Sequence, residues 1–153
     1  MKKIALSLVG LTALATFALA DDMAMPAFKK QATAKAVVDE HIDALNRCDW
    51  NRLMAQYPND IEFILPNGTW VKGRAEIGKV FTGFCKDRKD GGFKGATFIA
   101  EEVNTVGDTI NVSWRVEADW LASPYKGGDA YVTKDGMMQT QVTTFNPADM
   151  KFK

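Results

Sequence analysis

The sequence predicts an α+β domain in which N-terminal helices lie across a curved, mostly antiparallel sheet, and three stretches carry that reading. From Thr109 to Leu121, apolar Ile110, Val112, Trp114, Val116, Ala118 and Trp120 alternate with polar Asn111, Ser113, Arg115, Glu117 and Asp119, the period of a long half-buried strand. From Gln31 to Arg47, a turn of about 100° per residue sets Ala34, Val37, Val38, His41, Ile42 and Leu45 on one face, with Cys48 continuing it. Near the end, Ala130 to Thr133 and Met137 to Phe145 flank Lys134-Asp135-Gly136, where Asp-Gly suits a tight primed hairpin turn. Helices first and hairpin-connected strands after them is the order of an α+β fold.

The first 20 residues stand apart. Lys2 and Lys3 precede a short apolar run from Ile4 to Phe17, and Ala18-Leu19-Ala20 supplies small residues before Asp21, the pattern of a cleavable secretory signal. The run is shorter than the roughly 20 residues of a membrane span, so no stable membrane insertion is expected after cleavage. Residues 21–30 lack a period and read as a flexible lead-in; residues 31–153 form one domain. The 19 basic and 19 acidic residues balance, and loss of Lys2 and Lys3 leaves 17 basic against 19 acidic, a net charge of −2. No basic stripe is present to neutralise a phosphate backbone, which argues against a nucleic-acid partner. A periplasmic or secreted location follows from the signal, and in that compartment the two cysteines, Cys48 and Cys85, favour a disulfide.

After the first helix, Asp49 is placed to cap a second from Trp50 to about Tyr57, and Pro58-Asn59-Asp60 stops it. Ile61, Phe63 and Leu65 start a strand that ends in the turn Pro66-Asn67-Gly68, with a short strand through Trp70 beyond it. Gly73 opens a third helix whose Ile77, Val80, Phe81 and Phe84 share a face, with Cys85 at its edge. Both cysteines thus fall near the C-terminal ends of core-facing helices. Lys86 to Gly92 reads as a loop, Phe93 to Val103 as a strand, and Val106-Gly107-Asp108 as the turn into the long strand. The segment Ser123-Pro124-Tyr125-Lys126-Gly127-Gly128 reads as a loop that ends pairing.

Candidate chemistry is sparse. His41, the single histidine, lies within the apolar stripe of the first helix; it is either a core imidazole with a hydrogen-bond partner or a pocket acid or base. Glu117 and Asp119 fall on the polar phase of the long strand and point away from the helices unless a bulge reverses them. One histidine and two separated cysteines do not make a zinc site, and no phosphate-binding glycine loop or serine nucleophile elbow occurs, so no metal or cofactor is expected.

Ala44-Leu45-Asn46 with Asp49, Asp60-Ile61-Glu62-Phe63, Leu65-Pro66-Asn67-Gly68, Gly73-Arg74-Ala75-Glu76-Ile77, Val106-Gly107-Asp108 and Asp135-Gly136 together resemble the SnoaL-like branch of the nuclear transport factor two-like superfamily. The resemblance covers nearly all of residues 31–153. It implies a cone-like bent sheet wrapped over the helices with a pocket between them, in a family that includes cyclases, isomerases, dehydratases, epoxide hydrolases and proteins without known reaction. Tyr57, Phe63, Trp70, Trp114, Trp120 and Met138 are then the expected pocket lining, suited to a small apolar or aromatic ligand. Binding of such a molecule is the first functional expectation. An acid-base enzyme of the cyclase, isomerase or dehydratase type using His41 is the second, and the third is a homodimeric module joined through Arg115, Glu117 and Asp119 on the outer sheet face.

Overall fold

A computed structural model of the chain describes residues 24–153, and the signal read at residues 1–20 lies outside them. Helix α1, Ala34–Asn46, starts where the Thr33 hydroxyl accepts the Ala36 amide. Its buried side chains are Val37, Val38, His41 and Ala44, the face set by the apolar spacing. Asp49 caps the six-residue α2, Trp50–Ala55, by accepting the Arg52 amide at 3.0 Å. Helix α3, Arg74–Phe84, follows Gly73, whose φ of 88° few other residues tolerate, and buries Ile77 and Phe81. A disulfide between Cys48 and Cys85 joins the C-terminal ends of α1 and α3, with Cα atoms 5.5 Å apart.

The strands are β1 Glu62–Ile64, β2 Trp70–Lys72, β3 Thr97–Val106, β4 Thr109–Glu117, β5 Tyr125–Lys134 and β6 Met137–Thr143, in the order β2-β1-β6-β5-β4-β3. All neighbours are antiparallel except β1 and β6, which are parallel. Register shifts at Ala100/Glu102 and Val132/Thr133 mark bulges, which bend a sheet and strengthen its twist. The helices fill the concave side, and Ile110, Val112, Trp114 and Val116 of β4 are buried against them as the alternation requires.

The main departures from the sequence reading each have a local reason. Strand β4 stops at Glu117 because Ala118 to Leu121 closes a turn, the Leu121 amide donating to the Ala118 carbonyl; Leu121 then bridges Phe152. Strand β3 begins at Thr97, since the Phe93 amide turns back to the Phe84 carbonyl at 2.7 Å and the two rings stack 5.1 Å apart. Gly127 and Gly128 belong to β5, paired with Trp114 and Ser113. The Trp114 indole lies over Gly127, where an added Cβ would come within 2.6 Å of Cζ2, so a bare backbone is what lets the two strands meet. Within residues 24–30, the Lys29 amide donates to the Ala55 carbonyl and the Pro26 carbonyl accepts from the Arg74 guanidinium; Gln31, where the domain begins, donates its amide to the Gly136 carbonyl.

Candidate functional site

Between α1, α3 and the concave face of the sheet lies a cavity of about 220 Å³. The helices contribute Leu45, Val80, Phe81 and Phe84, and Phe93 reaches in from the following loop. Phe63 on β1, Phe98 on β3 and Trp114 on β4 form apolar parts of the sheet wall, while Leu65, Pro66, Phe145 and Pro147, all partly or wholly exposed, lie around the rim. Of the six residues expected at the pocket, the structure brings Phe63 and Trp114 to this cavity. Tyr57 and Met138 are fully buried in the core but are not in its wall. Trp70 is 57% exposed on edge strand β2, with the Lys72 ammonium 3.7 Å from its ring centre, because Trp70 and Lys72 share the outward phase of the strand while Val71 faces the core. Trp120 sits beyond the end of β4, edge-on to Phe93 and beside Phe152.

Among the described residues one ionisable side chain lines the cavity, and it was not singled out from sequence. Asp129 on β5 is 8% exposed; its Oδ2 accepts the Tyr131 hydroxyl at 2.9 Å and its Oδ1 has no partner among the described groups. Burial pushes the carboxyl up to about 6 from 3.8, against the opposing pull of Tyr131, Trp114 and Thr143. Trp114 Nε1 lies beside the carboxylate without completing a hydrogen bond of good geometry. Gln141 on β6, paired with Tyr131, also lines the cavity and leaves its Oε1 unpartnered. Such a carboxyl, half protonated near pH 6 in an apolar site, can give or take a proton at physiological pH.

His41 is placed behind this wall and not in it. It is completely buried, and burial lowers its pKa to about 3, so the ring is neutral. Nδ1 and the Tyr57 hydroxyl share a hydrogen bond of 3.0 Å, while Phe81, Tyr57 and Tyr131 enclose the imidazole at centroid distances of 5.5 to 6.1 Å. The core alternative of the sequence reading describes this environment; proton exchange with a ligand in the cavity would need His41 to reach past Phe81.

The SnoaL-like domain family matches residues 38–146, most of the chain. The chain belongs to this family. No curated protein matches the SnoaL-like chain by sequence. Among solved structures it is similar to a nuclear transport factor two-like protein of unknown function from Cytophaga hutchinsonii, at 14% identity and TM-score 0.62, over 79% of this chain and 96% of that one. A protein assigned as a ketosteroid isomerase from Kribbella flavida shares 17% identity and a TM-score of 0.60, over 74% and 81%. An LEH-like epoxide hydrolase from Mycobacterium tuberculosis shares 14% identity and a TM-score of 0.58, over 76% and 85%. At these identities the likeness is one of fold.

Elsewhere the SnoaL-like domain presents solvated surface. Arg115 pairs with Glu101 and Glu117 on the outer face of the sheet, and β4 keeps its register against β5 throughout, so Glu117 stays outside; Asp119 is exposed beyond the strand end. A wider hollow of about 480 Å³ beside Glu117, Asp119 and Pro124 is lined mostly by exposed residues and converges on no buried polar group. Among the described residues no three His, Cys, Asp or Glu side chains are grouped to hold a metal ion, and no helix is long and apolar enough to cross a membrane.

Proposed function

We propose that this SnoaL-like domain binds a small apolar molecule in the 220 Å³ cavity and that Asp129 transfers a proton on it. The observation that carries the reading is a single buried carboxyl, raised to about 6, set among Phe63, Phe81, Phe98 and Trp114. An apolar wall supplies affinity, and a carboxyl tuned toward neutrality supplies acid-base chemistry, as enzymes of isomerase and hydrolase type require. Tyr131 positions the carboxyl from behind through Oδ2. Ligand carriage without turnover is the second reading, favoured by the lack of a second ionisable residue in the cavity wall among the described residues. The export-like pattern of residues 1–20 and the Cys48–Cys85 bridge support action in an oxidising compartment outside the cytoplasm.

Native mass spectrometry of the mature protein recovered from an exporting host tests the proposal. Excess mass that is lost on unfolding identifies a captured molecule; its conversion by the wild type and not by Asp129→Asn supports proton transfer. A captured molecule left unchanged by both proteins favours carriage. Bare chain mass, together with no binding of small aromatic compounds, would sink both readings.

A further inference from the structure

We infer that the cavity is built for a single-ring molecule carrying one hydroxyl, seated with that hydroxyl among Trp114 Nε1, Asp129 Oδ1 and Gln141 Oε1. The inference rests on the proposed reading of the cavity as a ligand site and narrows the ligand by size and by polar group.

Size follows from the volume. A cavity of about 150 Å³ accommodates benzene, whereas drug-sized ligands occupy roughly 300 Å³ or more. At about 220 Å³ this cavity lies between them, room for one substituted ring and too little to enclose a fused four-ring skeleton. The aromatic wall formed by Phe63, Phe81, Phe84 and Phe98 gives edge and face contacts that favour a flat body.

The polar group follows from counting unmet hydrogen-bonding capacity in the wall. Trp114 Nε1 is a donor, and Asp129 Oδ1 and Gln141 Oε1 are acceptors; each is buried and none completes a hydrogen bond of good geometry among the described groups, although Trp114 and Thr143 lie beside the Asp129 carboxylate. They stand on three neighbouring strands, with Asp129 between the other two. Trp114 pairs with Gly127, two residues from Asp129 on the same face of β5, and Gln141 pairs with Tyr131, two residues further along. With Asp129 ionised and the Gln141 oxygen turned to the cavity, a carbonyl would answer only the indole and leave both acceptors unmet. An ammonium would answer the acceptors and leave the indole. A hydroxyl accepts from Trp114 and donates to Asp129 or Gln141, and it suits either orientation of the Gln141 amide. The ring of such a ligand then points away from this patch, toward the apolar rim at Leu65 and Phe145.

The test is calorimetric titration of the mature protein with p-cresol, toluene, 4-methylanisole and estradiol. p-Cresol should bind about tenfold or more tightly than toluene or 4-methylanisole, the scale of one or two buried hydrogen bonds. Estradiol, with the same phenol on a larger body, should bind more weakly than p-cresol. Gln141→Leu and Asp129→Leu should each reduce the preference for p-cresol over toluene; circular dichroism identifies a variant that has not folded, and the other then carries the comparison. Equal binding of toluene and p-cresol to the wild type would overturn the hydroxyl assignment while the cavity stands as a ligand site. Tighter binding of estradiol would overturn the size limit. Failure of every probe to bind would remove the ligand-site reading itself along with this inference.

Discussion

Replacing Asp129 with Asn should change how stability depends on pH, and the sign can be worked from two buried groups. The Asp129 carboxyl titrates at about 6 in the fold against 3.8 for the free side chain. Between those values the folded protein keeps a proton that the unfolded chain has released. Stability therefore falls by about 1.4 kcal/mol for each pH unit climbed through that window, about 3 kcal/mol in all. His41 acts with the opposite sign. Its imidazole titrates at about 3 in the fold against 6.5. The unfolded chain then binds a proton that the folded one refuses, so stability falls with the same slope as pH drops from 6.5 toward 3. Over pH 4 to 6 the two slopes cancel in the wild type. Asp129→Asn removes only the first, so the variant should lose about 2 kcal/mol between pH 6 and pH 4 that the wild type retains. Urea unfolding at pH 4, 5, 6 and 7 reads this directly, because exposed carboxylates titrate alike in both proteins and drop out of the difference. A difference between variant and wild type that stays constant from pH 4 to 6 would refute the reasoning.

Other perturbations test other joints of the structure. Gly127→Ala drives a methyl group into the Trp114 indole and the Phe145 side chain, and should cost about 1 to 3 kcal/mol by overpacking, visible as a lowered urea midpoint and altered tryptophan emission. Reducing the Cys48–Cys85 bridge, which spans 37 residues, should lower stability by about 4 kcal/mol; full reaction with a thiol reagent after denaturation without reductant would mean that the bridge is not formed. Arg74→Leu removes the donors to the Met54 and Pro26 carbonyls, so tryptic cleavage at Lys29 and Lys30 should accelerate; an unchanged cleavage rate would remove the clamp from the account.

Much of the fold is written in local signals. The alternation of β4, the stripe of α1 and the Asp135-Gly136 turn, with φ of 53° and 76°, each act over a few residues and appear where the spacing puts them. The site is less legible because its walls come from segments far apart in sequence. Asp129 is the clearest case. Gly127 and Gly128 look like loop residues, and the Trp114 ring lying across Gly127 shows why a bare backbone is used in the strand there. Once β5 begins at Tyr125, the period of two sets Gly127, Asp129, Tyr131 and Thr133 in one inward phase, and that alternation was the available signal. The polar character of this phase hid it, since a strand facing a core is expected to be apolar. His41 stays two-sided in sequence for the converse reason: an imidazole on a buried helical face marks the core as readily as a site, and which of the two applies depends on Phe81 lying between it and the cavity.

The central claim is that Asp129 is a buried, titrating carboxyl that meets whatever enters the cavity. Carbon-13 NMR of the side-chain carboxyl, assigned by its loss in Asp129→Asn, tests this most directly. The expected midpoint is about 6, displaced when p-cresol saturates the protein. A midpoint near the ordinary 3.8, unmoved by any bound ligand, would contradict the account.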